Sequence, residues 1–395
     1  MKKSVVLFLI LIQIVVGKGQ TIGSKASILP SAESLLPRAI VSEGDQTRLQ
    51  AVFAKAKMGR KIVIGVLGGS ITEGAACRNV DKRYANVVLA WWKKTFPQAD
   101  FRLVNAGIGA TGSNYGAMRV KRDLLSESPD FVIVEFAVND ANNREDAECY
   151  EGVVRQVLNS PQKPALLLLF MMKKNGTNAQ EWESRIGSHY GLPMISYRDA
   201  IWPEIQTGKI GWEQISPDVV HPNEAGHVLA GELISGLLEK ALLKDQENKS
   251  KIEDIPLPLL SDSFEFTTLA DGEDLIPLNN KGWVFDVPTR RSAGWKSSTP
   301  GSKLEFEISG KIIYLSCWRY KGPMGKVKVS IDGGQPYIVD AWFDQDWGGY
   351  RYMVQIRKDL KQGKHIVQIE LLPEKNAQST GNEFRILCLG AAGVK

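Results

Sequence analysis

The run Lys61-Ile62-Val63-Ile64-Gly65-Val66-Leu67 passes directly into Gly68-Gly69-Ser70-Ile71-Thr72-Glu73-Gly74 and sets the class of the first half of the chain. A mostly apolar heptad ending in a glycine-flanked serine reads as a strand covered on both faces, followed by a sharp turn. Phe101–Asn105, Phe131–Phe136, Ala165–Phe170 and Met194–Tyr197 are runs of the same kind. Helical patterns separate them at Tyr84–Thr95, Met118–Ser126, Tyr150–Asn159 and Ala179–Tyr190, and a last helix spans Asn223 to Leu243. Such alternation predicts an α/β unit: a parallel sheet with right-handed crossovers and helices on both faces. Upstream, Gly44–Lys57 reads as one more helix, packed on the outside of this unit.

The pattern changes after residue 243. Lys244–Lys251 is charged, and Ile255-Pro256-Leu257-Pro258 is proline-spaced and extended, which reads as a linker. Beyond Asp262 the helical period disappears. Short alternating runs take over at Lys303–Ile308, Lys311–Trp318, Lys326–Ile331, Tyr337–Ala341, Tyr350–Ile356, His365–Leu371 and Phe384–Leu389. Ser309-Gly310 and Asp332-Gly333-Gly334 fall between runs, where hairpin turns need positive φ. This half predicts an all-β sandwich. A length of 395 residues also favours two domains. The expected organisation is a signal peptide at 1–19, an extension with a helix at 20–59, an α/β domain at 60–243, a linker at 244–261 and the sandwich at 262–395.

The signal peptide is read from Lys2 and Lys3 ahead of an apolar run from Val5 to Val16, which is too short to span a bilayer as a helix. No cysteine lies near the cleavage region, which argues against a lipoprotein anchor and for an exported, periplasmic or secreted protein. No other segment reads as membrane-spanning. The formal charge is +5, and Lys2, Lys3 and Lys18 would leave with a segment ending at Gly19, so the mature balance is near neutral. A charge so small and scattered argues against a nucleic-acid partner. Cys77, Cys149, Cys317 and Cys388 lack the close spacing of a zinc or redox site. Cys317 and Cys388 fall in apolar strand-like runs, compatible with buried thiols or with a bridge.

Four segments at strand or loop ends carry residues capable of chemistry, because ligands of open α/β sheets bind at the carboxyl ends of the strands. Ser70 stands after the first strand. It is not the G-x-S-x-G elbow, since Thr72 replaces the last glycine, and no Gly-Lys-Ser/Thr follows to make a phosphate loop. The second strand ends in Asn105-Ala106-Gly107-Ile108-Gly109-Ala110-Thr111-Gly112, and the third leads into Asn139-Asp140. Before the last helix comes Asp218-Val219-Val220-His221, whose i, i+3 spacing lets one turn set a carboxylate beside an imidazole. Of four histidines, only His221 combines a loop position with an adjacent Asp. Each segment has a structural reading of its own, as a cap or a turn. Their joint occurrence in one domain is what needs a chemical explanation.

In this order the four blocks resemble the SGNH (GDSL-type) hydrolase superfamily over roughly residues 60–243. The resemblance implies a flavodoxin-like three-layer fold with a five-stranded sheet, and ester hydrolysis without metal or cofactor. Carried over residue by residue, Ser70 is the nucleophile, His221 the general base and then acid, and Asp218 its orienting partner. The oxyanion hole would draw on the Ser70 N–H, an N–H of the Gly109–Ala110 pair and the Asn139 side chain. This chain has Gly69 where the family usually has Asp, Ala110 where it has its oxyanion glycine, and Ala137 where it often has Gly.

No long apolar insertion resembles a lipase lid, so the site is expected to be open and to take a small acyl group on a large polar alcohol. Exported relatives of this kind often remove acetyl groups from polysaccharides, which makes an acylated carbohydrate the expected partner. The β half resembles the jelly-roll modules that accompany some carbohydrate esterases. Within Trp342-Phe343-Asp344-Gln345-Asp346-Trp347-Gly348-Gly349-Tyr350, Trp342 and Trp347 are the expected sugar-stacking residues on an exposed loop. The competing readings are an esterase or thioesterase for longer acyl chains and a carbohydrate-binding protein without turnover.

Overall fold

The structure is a computed structural model that describes residues 29–244 and 254–394. The expected signal peptide and residues 245–253 of the linker lie outside the described residues.

The first unit is built on a six-stranded sheet. Its strands are β1 (Ile40–Ser42), β2 (Ile62–Gly68), β3 (Phe101–Gly107), β4 (Phe131–Glu135), β5 (Ala165–Phe170) and β6 (Met194–Ser196), in the order β1-β6-β5-β4-β2-β3. β2 to β6 run parallel, and β1 pairs antiparallel with β6. Five parallel strands match the expectation. The antiparallel edge strand was not foreseen, because three residues carry no readable period.

Alternate residues of each central strand feed two separate cores. Phe131 and Ile133 of β4 and Leu167 and Leu169 of β5 face one core. Val132, Val134, Leu166 and Leu168 face the other. Burial on both faces is why these strands read as unbroken apolar runs. The helices are α1 (Ala32–Ala39), α2 (Thr47–Lys57), α3 (Ser70–Glu73), α4 (Tyr84–Thr95), α5 (Ser113–Asp123), α6 (Arg144–Leu158), α7 (Gln180–His189), α8 (Tyr197–Gln206) and α9 (Glu224–Leu243). α2 is an integral part of the first layer rather than an appendage: Leu49, Val52, Phe53 and Ala56 are buried in its core.

The second unit contains eleven described strands: β7 (Thr267–Asp271), β8 (Asn279–Lys281), β9 (Val284–Asp286), β10 (Gly294–Ser297), β11 (Lys303–Ser309), β12 (Ile312–Arg319), β13 (Gly325–Ile331), β14 (Tyr337–Asp340), β15 (Tyr350–Arg357), β16 (Lys364–Lys375) and β17 (Phe384–Ala392). One sheet runs β15-β12-β17-β10-β9, with β7 also on β17, and the facing sheet runs β14-β13-β16-β11-β8. β11 and β13 alternate buried and open residues, as strands with one solvated face do. β17 is buried throughout, because its outer face packs on the α/β unit. Cys388 and Ala392 join Tyr314 and Met353 in one apolar cluster with Tyr115, Met118 and Val153 of α5 and α6.

Polar contacts fasten the same seam. The buried Glu151 carboxylate accepts the amides of Leu259, Leu260 and Ser261, pinning the extended connection to α6. Gln156 donates to the carbonyls of Ala117 and Phe264. All four cysteines are free and buried. Cys317 and Cys388 lie on the adjacent strands β12 and β17.

Candidate active site

β2 and β4 are neighbours across the point where the strand order reverses, the place where open α/β sheets bind ligands. Ser70 opens α3 directly after β2, Asn139 follows β4, and the Gly109–Ala110 turn follows β3. Gly69 lets these elements close up: a Cβ there would lie 2.2 Å from the Asn139 side-chain oxygen. A side chain such as the family's Asp at that position would displace the Asn139 amide from the place it holds here.

Asp218 and His221 lie on the loop before α9. Asp218 Oδ1 accepts the Val220 and His221 amides, both at 2.7 Å, leaving Oδ2 free to meet His221 Nδ1 at 2.8 Å. Burial raises the Asp218 carboxyl, but those amides and the imidazole outweigh it, so its pKa falls below the ordinary value. A carboxylate only accepts hydrogen bonds, so Nδ1 carries the proton and Nε2 presents a lone pair. That lone pair faces Ser70 Oγ at 2.8 Å. The Ser216 hydroxyl donates to the His221 carbonyl at 2.7 Å, and Asn223 caps α9 through the Gly226 amide at 3.0 Å. A serine hydroxyl held against an imidazole of fixed tautomer can lose its proton as it attacks an electrophile.

Two main-chain donors and one side chain surround the serine. The Ser70 N–H, in the first turn of α3, and the Ala110 N–H donate to no other group among the described residues. The Gly109 N–H, by contrast, donates to Glu73 Oε2 at 2.8 Å. Of the expected Gly109–Ala110 pair, Ala110 therefore has the free donor, and it holds φ at +57°, which side-chain-bearing residues seldom adopt. Among the described residues the buried Asn139 amide oxygen has no partner. Arg119, fully buried, donates to the carbonyls of Gly68 and Ala106 and ties the ends of β2 and β3 beneath the site.

Behind Asn139 lie three buried carboxyl groups. Burial, with the Asp140 carboxyl nearby, pushes Glu135 up to about 8, and the amides of Val138 and Ala137 offset this only in part. Burial also raises Asp140 and Glu183. Glu135 in the unfolded chain releases its proton near 4.5, whereas the folded protein keeps it until about pH 8. Stability therefore falls as pH rises through this window, because the unfolded state binds fewer protons. Glu135→Gln should remove that dependence. In thermal unfolding, the midpoint of the variant minus that of the parent should climb between pH 5 and pH 8. A flat difference across those values would contradict the assignment.

The other histidines are committed elsewhere. His227 is buried and lowered to about 4 by desolvation, and it stacks on Tyr84 at 6.1 Å between ring centroids. His189 meets the Leu257 carbonyl at 2.8 Å. His365 pairs with Asp332 at 2.7 Å, a second His–Asp pair hidden by a separation of 33 residues, but its other nitrogen is engaged by the Lys361 carbonyl.

Ser70, Gly109, Ala110, Asn139, Asp218 and His221 all line one cleft of about 1410 Å³ between the two units. Trp347 reaches it from the sandwich and is 60% exposed. Trp342 does not: it is 8% exposed and packs in the sandwich core, so its expected exposure is corrected. The polar residues and glycines between the two tryptophans gave no means of telling them apart. Trp318 and Tyr350 line the cleft instead. Trp318 was not singled out among the tryptophans of this half, because Leu315-Ser316-Cys317-Trp318 reads as an apolar strand.

The model of the GDSL-like lipase/acylhydrolase family matches residues 66–229. A crystal structure of a two-domain esterase (CEX) active on acetylated mannans is 35% identical, with a TM-score of 0.86 over 91% of this chain and 99% of that one. The chain belongs to the GDSL-like lipase/acylhydrolase family. The hydrolase has an equally extensive likeness to that esterase co-crystallised with mannopentaose, at 35% identity and a TM-score of 0.84 over 91% of this chain and 98% of that one. A comparison with curated proteins gives no match. The likeness spans both units, so the hydrolase is a carboxylic-ester hydrolase carrying a C-terminal β unit. No helix among the described residues is long and apolar enough to cross a membrane, and no group of three or more His, Cys, Asp or Glu among them is placed to hold a metal.

Proposed function

We propose that this chain is an exported serine esterase that removes acetyl groups from a carbohydrate. The observation that carries the reading is the unbroken line from Asp218 Oδ2 through the His221 ring to Ser70 Oγ, opening on a cleft that Trp347 and Trp318 also line. In this reading His221 takes the Ser70 proton as Oγ attacks the acyl carbon. The charge gathering on the carbonyl oxygen is met by the Ser70 and Ala110 N–H groups and the Asn139 amide. Collapse breaks the ester bond, and His221 returns the proton to the departing sugar oxygen. A water activated by the same imidazole then releases acetate from Ser70.

The wide cleft and the aromatic side chains of the sandwich favour a sugar polymer as the alcohol portion. The similar esterase active on acetylated mannans makes an acetylated mannan the first substrate to try. Trp347, Trp318 and Tyr350 are the proposed stacking surface, Trp347 and Tyr350 lying 5.1 Å apart between centroids. The proposed catalytic domain is 60–243 and the proposed sandwich 262–395. Export rests on the lysines and apolar run at the N-terminus.

The test is acetate release from acetylated mannan, xylan and pectin, together with rates on C2, C4 and C8 nitrophenyl esters. Rates should fall as the acyl chain lengthens, and one glycan should dominate. Trp347→Ala should raise KM on that glycan by about 5–30-fold, the scale of one lost stacking contact, while leaving 4-nitrophenyl acetate unchanged. A rate that stays level or rises with acyl length, and no acetate from any glycan, would exclude this reading.

A further inference from the structure

The proposed oxyanion donor is the N–H of the peptide joining Gly109 to Ala110, so its direction depends on how Gly109 is held. Glycine is a soft joint, and Ala110 is strained at φ +57°. Ile108 is fixed by its N–H to the Gly68 carbonyl at 3.1 Å, and Thr111 by its hydroxyl to the Ile108 carbonyl at 2.7 Å. Among the described residues the tip between them is held by one side chain, Glu73, whose Oε2 accepts the Gly109 N–H at 2.8 Å. Glu73 ends the same short helix that Ser70 begins, so one turn carries both the serine and the group that aims its facing loop.

This tether brings an electrostatic difficulty. A carboxylate beside the oxyanion hole opposes the negative charge that develops there. The other Glu73 oxygen, Oε1, is paired with the Arg291 guanidinium, which comes from the sandwich 218 residues away. Both groups line the cleft. A guanidinium in contact with the carboxylate offsets its field at the reacting oxygen, and no substrate need touch the sandwich for this to operate.

We propose that Glu73 is a positioning residue for the Ala110 oxyanion donor, and that Arg291 couples the sandwich to catalysis by neutralising it. This rests on the assignment of Ser70 and Ala110 made above. The sandwich thereby contributes to the chemical step itself, separately from any sugar that it binds.

The test uses the full chain and 4-nitrophenyl acetate, a substrate too small to need the aromatic loop, with Ser70→Ala as the reference. Glu73→Ala should lower kcat by about 10–100-fold with KM within about twofold, the pattern of a misaimed transition-state donor. Glu73→Gln keeps an acceptor for Gly109 and should retain kcat within about threefold of the parent. Arg291→Ala should lower kcat by about threefold, as befits a half-exposed pair, and added salt should reproduce that loss. In the Glu73→Gln background Arg291→Ala should have no further effect, because the charge that it offset is gone.

A kcat for Glu73→Ala within twofold of the parent, or a loss residing in KM, overturns the positioning role. An equal effect of Arg291→Ala in both backgrounds overturns the coupling. If Glu73→Ala fails to fold, a kcat for Glu73→Gln more than about tenfold below the parent overturns the positioning role, and the Glu73→Gln and Arg291→Ala cycle still decides the coupling. Activity surviving in Ser70→Ala would instead remove the underlying assignment of the site.

Discussion

Ser70→Ala and His221→Ala are each expected to reduce kcat on 4-nitrophenyl acetate by about 10⁴-fold or more, since members of the proposed triad would fail as a unit. Ser70 Oγ makes one hydrogen bond among the described residues, to His221 Nε2, and both side chains line the cleft. Removing the hydroxyl leaves no buried group unpaired, because water can replace it. The thermal unfolding midpoint of Ser70→Ala should therefore stay within about 2 °C of the parent. Asp218→Asn should fall between the parent and these variants. Its remaining oxygen can still accept the Val220 and His221 amides, but the imidazole loses its charged partner and its fixed tautomer. Residual activity within tenfold of the parent in Ser70→Ala or His221→Ala would show that another nucleophile or base operates.

Asn139→Ala is expected to lower kcat by about 10²–10³-fold, equivalent to about 2.7–4 kcal/mol of transition-state stabilisation, with little change in KM. The amide is rigidly placed. Its backbone N–H is fixed on the Phe136 carbonyl at 2.8 Å, and its side chain rests against Gly69, where even a Cβ would not fit. A donor held in advance of the reaction loses nothing to reorganisation when the oxyanion forms. Its buried side-chain oxygen meanwhile has no partner among the described residues, an unfavourable state that the substitution removes. Loss of activity should thus come with unchanged or slightly raised stability, the opposite of what a merely structural asparagine would give. A raised KM at unchanged kcat would assign Asn139 to ground-state binding instead.

The α/β half was legible where burial is symmetric or contacts are local. β2, β4 and β5 have apolar neighbours on both faces, so a plain apolar run located them. The helix at Tyr84–Thr95 was read to its ends. α5 was misplaced, expected at Met118–Ser126 and found at Ser113–Asp123. Its first amide is taken by the Asp140 carboxylate at 2.7 Å, a contact 27 residues away in sequence. α6 starts earlier than expected, at Arg144, where Asn143 accepts the Asp146 amide. That cap was local and could have been found. In the β half β11 to β17 were anticipated, and all of these but the four-residue β14 have seven residues or more. β7 to β10 were not, since strands of three to five residues beside turns show little alternation, and β14 was read only because it sits between longer runs.

By itself, the sequence determined the two fold classes, the place of the serine at a strand end and the pairing of Asp218 with His221. Each of these follows from patterns within a few residues, where chain geometry alone limits what neighbours can do. The tertiary structure decided the rest. It brought Ser70 within reach of His221 across 151 positions and freed the Ala110 N–H by engaging that of Gly109. It buried Trp342 while exposing Trp347, and it set Arg291 of the sandwich against Glu73. These depend on how two separately patterned units close over one cleft. Hydrophobic burial drives that closure without regard to sequence distance, and no local period records which polar groups it will bring together.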